Sequence, residues 1–511
     1  MTISSTPAPA PAPALTHDVL ASAHDAASAT LPYRHVDDLF IDGEYRPAEG
    51  AGRFEVVDPA TGRAWASAPI AAPADVDAAV AAARRAFPGW SGLAPSERAH
   101  RMLAMADAVE RRAGELATTN TLENGSPVAE TSRAASNAAG IIRYFASLAE
   151  YLERDDVRVA PLHPSMATSV HRDAIGVCAL IAPWNFPINL VVIKLAPALI
   201  AGCTVVIKPA SPTPLSIRFI VDAAVEAGIP AGVVNLVTGD SSVGDQLVRH
   251  PDVDKVAFTG STPVGRRIAA ACGELLRPVT LELGGKSSAI VLPDADLEHL
   301  GSVLLRSCLR NTGQTCYIST RLVATPERYD EVVELAAATV STAQLGDPLD
   351  PATAFGPVAT AAQRDIVRGY IRSGIDEGAR VVAGGDVPAP FEHGSWVTPT
   401  VFADVTPLMR VAREEIFGPV LTVIRAADVD AAVSIANGTE FGLGGIVFGR
   451  DEDRAFDVAR RVDTGSIGVN FFASNHAAPF GGRHDSGLGV EYGIEGLAAY
   501  LTPQSVHRTR K

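Results

Sequence analysis

The sequence predicts an α/β protein of two or three domains, the first large one built on an open, doubly wound parallel sheet. Three observations carry this reading. The chain has 511 residues, more than one compact core holds. Between residues 174 and 290, short runs rich in Val, Ile and Leu lack the polar alternation of a half-exposed sheet. Parallel strands covered on both faces require such runs. They alternate with stretches of helical periodicity, at the spacing of repeated βαβ crossovers.

Taken in order, the chain opens with residues 2–30, rich in Ala, Pro, Ser and Thr and including the alternating Ala-Pro run Thr6–Ala14. Such backbone is extended and solvated, so residues 1–34 are expected to form a disordered tail. The segment lacks the basic and apolar regions of a signal peptide. Folded sequence begins near Leu39–Gly43. A helix follows over Asp75–Phe87, with Val76, Ala79, Val80 and Ala83 on one face. A second is opened by Pro95, with Ser96 as cap and Leu103, Met105, Ala108 and Val109 as its buried stripe. A third covers Val128–Leu152. Short strands at Val157–Ala160 and Thr168–Arg172 read as a hairpin arm.

Strands then alternate with helices. The strands are Gly176–Ala182, Thr204–Ile207, Val233–Thr238 and Lys255–Thr259; the helices are Ile188–Ala201, Pro214–Glu226 and a short one at Gln246–Arg249. After Gly284-Gly285 a second α/β pattern starts. It holds helices Leu297–Leu309 and Tyr329–Ala343, with strands at Arg321–Ala324, Ala379–Val382, Val420–Arg425, Ile446–Phe448 and Ser466–Asn470. The end, Gly496–Val506, is apolar and a candidate for pairing with another chain.

Bulk properties exclude several classes. A formal net charge of −15 argues against a nucleic-acid partner, which asks for a basic surface. No apolar run reaches the length of a membrane span. The five cysteines, Cys178, Cys203, Cys272, Cys308 and Cys316, are scattered and odd in number, which indicates a reducing compartment such as the cytoplasm. Metal-ligand spacings such as H-E-x-x-H or C-x-x-C are absent, so no metal is expected.

Four places carry candidate chemistry. Cys316 stands in the polar, glycine-containing segment Asn311–Tyr317, unlike most core cysteines among apolar neighbours, although taken alone a free core cysteine reads the same. Glu282 lies between two leucines ahead of Gly284-Gly285; burial there would raise its pKa and suit it to general-base work, although an ion pair with Lys286 would read the same. Asn185, between Phe186 and Trp184, either caps the next helix or points its amide at a developing oxyanion. Lys208 ends a strand, where open α/β sheets take ligands, as does the turn Gly260–Gly265, which would admit a diphosphate; a snorkelling lysine and an ordinary βα turn look alike in sequence. No histidine lies near Cys316, so Cys/His protease chemistry lacks support.

The order and spacing of these motifs closely resemble the aldehyde dehydrogenase superfamily, from about Leu39 to Val506. The resemblance rests on Pro183–Pro187, Val206–Pro209, Phe258–Thr262, Leu281–Lys286, Gly313–Cys316, Glu414–Pro419 and Pro479–Gly482. It implies an aldehyde dehydrogenase-like fold: a cofactor domain from 35–152 and 175–285, a catalytic domain over 286–484, and a small β bridging element from 153–174 and 485–511. It implies NAD(P)-dependent oxidation of an aldehyde to the acid. Cys316 would be the nucleophile, Asn185 and the Cys316 N–H the oxyanion donors, Glu282 the base that activates water, and Lys194 a proton relay. NAD or NADP would be held by Ile181, Trp184, Lys208, Ser211, Gly239, Gly260, Ser261, Gly265, Leu283, Glu415 and Phe417.

Phe186, Leu190, Ile193, Thr315, Tyr317, Phe472 and Phe480 would line an apolar, partly aromatic substrate pocket for a medium aliphatic or aromatic aldehyde. A homodimer or homotetramer is implied. Ser211 stands where NAD-preferring members commonly carry Glu, which removes a repulsion from a 2′-phosphate and leads us to expect that NADP is tolerated. A CoA-acylating enzyme and a catalytically silent scaffold are the alternatives; a filled Glu282 position disfavours the first and the full set of reactive positions the second.

Overall fold

A computed structural model of the chain describes residues 16–31, 35–385 and 393–509. Two large sheets organise it. The first has eight strands, of which the middle five are parallel. Their spatial order is Val234–Leu236, Thr204–Lys208, Val177–Ile181, Lys255–Thr259, Val279–Glu282. The winding therefore reverses between Val177–Ile181 and Lys255–Thr259, and ligands of open α/β sheets bind beyond the carboxyl ends at such a reversal. Every residue of these two strands is buried, which accounts for their unbroken apolar runs. Antiparallel strands close both edges: Asp38–Ile41 with Glu44–Pro47 on one side and Gly487–Leu488 on the other.

The second sheet runs Arg380–Ala383, Thr400–Val405, Val420–Arg425, Arg321–Ala324, Ser288–Val291, Gly445–Phe448, Gly468–Val469, all parallel except the first pair. Each large sheet is covered on both faces by separate apolar cores. A third, three-stranded sheet joins Val157–Ala160, His163–Ala174 and the C-terminal strand Leu501–Thr509. The C-terminal segment thus pairs within its own chain, and its outer edge has no partner strand among the described residues.

Several expectations need correction. Residues His17–Ala29, expected to be tail, form a helix capped by Thr16, with Leu20, Ala21 and His24 buried. Beyond the last proline of the Ala-Pro run nothing disfavours a helix, and Leu20 finds a core at Ala60 and Trp396. The rest of the expected tail, 1–15 and 32–34, lies outside the described residues. Ser96 is not a cap. The helix Pro95–Arg111 starts after Ala94, whose N–H donates to Glu97 Oε2 at 3.1 Å. Leu103 is 44% exposed, and Met102 takes its place in the core. The single helix expected over Val128–Leu152 is three, Val128–Thr131, Ala134–Ser147 and Ala149–Glu153, preceded by an unanticipated Ala113–Asn124. Among the described residues no helix is long and apolar enough to cross a membrane, and no cluster of His, Cys, Asp or Glu is placed to hold a metal.

Candidate active site

Helix Leu297–Cys308 ends in a coil that reaches strand Arg321–Ala324. Three successive residues of this coil, Asn311, Thr312 and Gly313, have φ of 54°, 54° and 75°. L-residues avoid that region, so the surroundings must impose it. They do so with hydrogen bonds. Gly356 N–H donates to Thr312 Oγ1 at 3.1 Å, and Ala359 N–H to Gln314 Oε1 at 2.9 Å. Asn311 Nδ2 donates to the Asn185 carbonyl at 3.0 Å, while Ser126 Oγ donates to Asn311 Oδ1. Gly313 is required by contact as well: a Cβ there would lie 2.0 Å from the Gly418 carbonyl oxygen.

This coil delivers Cys316, which is partly exposed to a cavity. Burial pushes its thiol up, the nearby Glu415 and Glu282 carboxylates add to the effect, and the Cys316 and Tyr317 N–H groups oppose it. The resting group is therefore the thiol, and the reactive thiolate would form only on loss of its proton.

Asn185 comes from the turn between strand Val177–Ile181 and helix Pro187–Ala201. It does not cap that helix, which starts after Phe186 without a side-chain cap. Its Nδ2 donates to the Gln314 carbonyl at 2.9 Å, which ties the two halves of the chain together two residues from the thiol. An amide nitrogen carries a second N–H.

Glu282 is the last residue of its strand. Among the described residues neither carboxylate oxygen has a hydrogen-bond partner. Burial, then the charge of Glu491, hold its pKa well above the usual range, and Lys194 counters in part. An ion pair with Lys286 does not form, for the Lys286 ammonium likewise has no hydrogen-bond partner among the described residues and is pushed down to about 7, mainly by burial. Lys194 instead donates to Thr259 Oγ1 and Glu491 Oε1, both at 2.6 Å.

Asn185, Glu282 and Cys316 line one cavity of about 240 Å³, together with all seven residues expected in the substrate pocket. Lys194 stands behind its wall. The Tyr317 ring stacks on Phe472 at 4.9 Å and meets Phe480 edge-on at 6.2 Å. The cavity is more polar than expected. Arg310 reaches it, donating to the Tyr317 hydroxyl and, through Nε at 2.8 Å, to Glu130, with its guanidinium 5.1 Å above the Phe186 ring. Asn137, Asn189 and His476 also contribute. Sequence reasoning missed Arg310 and Glu491. Glu491 pairs with a lysine 297 positions away, and nothing local marks it.

Five of the expected cofactor residues, Ile181, Lys208, Gly239, Gly260 and Leu283, stand at or just beyond the carboxyl ends of the five parallel strands, one per strand. Burial pushes Lys208 down to about 8, with Asp240 opposing, and among the described residues its ammonium donates only to the Pro209 carbonyl at 3.2 Å. Ser211 Oγ donates to the Gly239 carbonyl at 2.9 Å. Ser261 precedes helix Thr262–Glu274 without capping it by its side chain, which leaves first-turn N–H groups for another acceptor. A Cβ at Gly265 would stand 2.5 Å from Leu283 Cδ2.

Glu415 and Phe417 face these residues from the second half. Glu415 Oε1 accepts from Gly285 N–H at 3.0 Å, and burial pushes its carboxyl up to about 7. Phe417 packs edge-on against Trp184 at 5.3 Å. The pair Gly284-Gly285 lets the halves meet, since Cβ atoms there would come within 2.4 Å of Glu415 Oε2 and of the Cys316 carbonyl oxygen.

Comparison with known proteins places this geometry. The model of the aldehyde dehydrogenase family matches residues 45–506. Geranial dehydrogenase of Castellaniella defragrans is 47% identical over 481 residues, 94% of this chain and 99% of that protein. Betaine aldehyde dehydrogenase 1 of Rhizobium meliloti is 40% identical, over 92% of this chain and 96% of its own. Among solved structures, a Cys-to-Ala mutant of aldehyde dehydrogenase C from Pseudomonas syringae, in complex with NAD+ and octanal, superposes with a TM-score of 0.90. It is 40% identical and covers 93% of this chain and 97% of its own. A sequence matched over nearly its whole length and close to half identical to a named member leaves one assignment: this chain belongs to the aldehyde dehydrogenase family.

Proposed function

We propose that the protein oxidises a medium-sized aliphatic or aromatic aldehyde to its carboxylic acid with NAD or NADP. The observation that carries this reading is the meeting of Cys316, Asn185 and Glu282, far apart in sequence, on one cavity. The crevice beyond the parallel strands fits a dinucleotide: a buried ammonium with spare donors at Lys208, a helix N-terminus free of a side-chain cap, and contacts at Gly265 that a side chain would fill. When bound, the nicotinamide supplies the hydride acceptor.

The chain's own residues do the rest. Cys316, freed of its proton, adds to the carbonyl carbon and forms a thiohemiacetal. The second Asn185 N–H and the Cys316 N–H hold the oxyanion. Once hydride has left, the thioester on Cys316 is hydrolysed by water that Glu282 deprotonates; its oxygens have no hydrogen-bond partner among the described residues and its raised pKa suits a base working near neutrality. Lys194 and Glu491, joined to each other by a hydrogen bond and close enough to act on Glu282 through their charges, would receive its proton by way of an intervening water.

On this reading residues 35–152 and 175–285 hold the cofactor, 286–484 carry the nucleophile, and 153–174 with 485–511 form the arm. The open edge of Leu501–Thr509 supports a homodimer or homotetramer. The five cysteines, free of disulfides, support a cytoplasmic setting. The aromatic walls favour apolar substrates, as do a relative named for geranial and a neighbour crystallised with octanal. Nicotinamide reduction across an aldehyde panel, with and without CoA, tests the proposal. We expect medium apolar aldehydes to lead and the free acid to form. Victory for small or carboxylated aldehydes would sink the substrate assignment, and an acyl-CoA product would sink the hydrolytic one.

A further inference from the structure

Helix His17–Ala29 lies ahead of the family-matched span, which opens at residue 45. It carries His24, buried to 3% exposure, with a carboxylate at each ring nitrogen. Nδ1 lies 2.7 Å from Asp58 Oδ2, and Nε2 lies 2.9 Å from Asp347 Oδ1. Serving two carboxylates takes two N–H groups, the protonated ring. Burial works against that charge, yet the two acids outweigh it and raise His24 to about 9. Leu20 seats the same helix against Ala60, Trp396 and Leu345, and Arg63 Nη1 donates to Asp25 at 3.2 Å.

The two acids belong to different halves of the chain. Asp58 lies at the turn between strands Arg53–Val57 and Ala64–Pro69, ahead of the first large sheet's parallel strands. Asp347 begins the loop 347–360, which leads into helix Ala361–Asp376. This loop also holds the nucleophile coil, through Gly356 on Thr312 and Ala359 on Gln314. It has no slack. A Cβ on Gly356 would stand 2.3 Å from the Gly125 carbonyl oxygen, and the Val128 N–H donates to Pro348 at 2.7 Å.

We propose that His24 is a positioning residue: by clasping Asp347 to Asp58 it holds loop 347–360, and through that loop the segment Thr312–Cys316. The inference rests on Cys316 being the reacting thiol. The N-terminal helix is then a working part of the site. It acts on the rate of the chemical step and leaves the affinity of the cavity and crevice, which it does not touch, unchanged.

His24→Ala tests this, because it leaves two acids facing each other without their cation. With the variant fully folded by circular dichroism, kcat should fall about tenfold or more, while KM for aldehyde and cofactor stays within about twofold. Backbone amides of 311–317 should exchange with deuterium about tenfold faster. Adding Asp347→Asn should restore part of kcat by removing one unpaired charge. If His24→Ala does not fold, Asp347→Asn alone, which keeps the bond to Asp58, should give the same two changes in smaller measure. Parental kcat and parental exchange would overturn the proposal, as would a loss confined to KM. If the parent protein itself oxidised no aldehyde, the functional reading would fail, while the exchange rates would still decide whether His24 holds 311–317.

Discussion

The two sides of the cleft are built on opposite plans. On the first, the candidate site residues sit at the ends of parallel strands, and the ladder of the first large sheet sets their positions; Glu282 and Thr259 are register partners in it. On the second, Cys316 rides on a coil with three left-handed residues in a row, held by side-chain hydrogen bonds from Ser126, Asn185, Gln314 and Thr312. Repeating backbone bonds tolerate a conservative side-chain change nearby. A coil fixed by single side chains does not, because losing one partner leaves a buried polar group unsatisfied. The side proposed to hold the cofactor should thus be the forgiving one, and the side that carries Cys316 the exacting one.

The largest effect belongs to the exacting side. Cys316→Ala should remove aldehyde oxidation by a factor on the order of 10⁵ or more, measured as steady-state nicotinamide reduction. Glu282→Gln, on the sheet side, should remove one step only. Turnover should fall roughly 10²–10⁴-fold, while a rapid first burst of nicotinamide reduction survives, and the rise of deacylation with pH as Glu282 ionises should vanish. Loss of the burst would show that Glu282 serves sulfur as well as water.

The contrast itself is tested by a pair of small substitutions. Gly313→Ala should cost about 2 kcal/mol or more in denaturant unfolding, through left-handed strain and contact with Gly418. Ile181→Val at a strand end should cost about 1 kcal/mol and leave kcat nearly intact. Equal losses would erase the distinction between the two sides. Ser211→Glu should then lower kcat/KM for NADP about a hundredfold by like-charge repulsion and spare NAD. A parent preference for NAD above about a thousandfold, roughly 4 kcal/mol, would sink the view that Ser211 admits NADP.

The smallest effect is one of pH. The folded pKa of His24, about 9, lies above its ordinary 6.5, so the clasp contributes fully below about 6.5 and fades as pH rises through about 9. Asp58, Asp347 and the Arg63–Asp25 pair are the charges around it. Thermal stability should therefore decline on alkalisation more in the parent than in His24→Gln.

How far the sequence disclosed this arrangement depends on how each part is held. Strands Lys255–Thr259, Arg321–Ala324 and Val420–Arg425 match their sequence reading to the residue, because burial of all their residues but Arg425 leaves short, mostly apolar runs. Helix Arg218–Glu226 starts four residues later than expected, since Pro214–Ile217 are spent in a turn. Helix His17–Ala29 was hidden by its own composition: mostly small residues, with one leucine and one histidine doing the anchoring. In the site, motif order marked Cys316, Asn185 and Glu282, but only folding shows them on one cavity. Arg310 and Glu491 were invisible for one shared reason. Their partners Glu130 and Lys194 lie 180 and 297 positions away, and an isolated charge in a sequence does not say which distant charge it will meet.

Arg310 has a consequence for how such a cavity changes over generations. One guanidinium binds the Tyr317 hydroxyl, pairs with Glu130 and rests on Phe186, so size and polarity of the cavity are not independently heritable. Trimming Tyr317 to admit a bulkier aldehyde would at the same stroke release donors of a partly buried cation. Trimming Phe186 would uncover its face. A lineage that widens this cavity by single steps must pass through a wetter, more charged form, and drift towards polar aldehydes lies nearer than drift towards larger hydrocarbon ones.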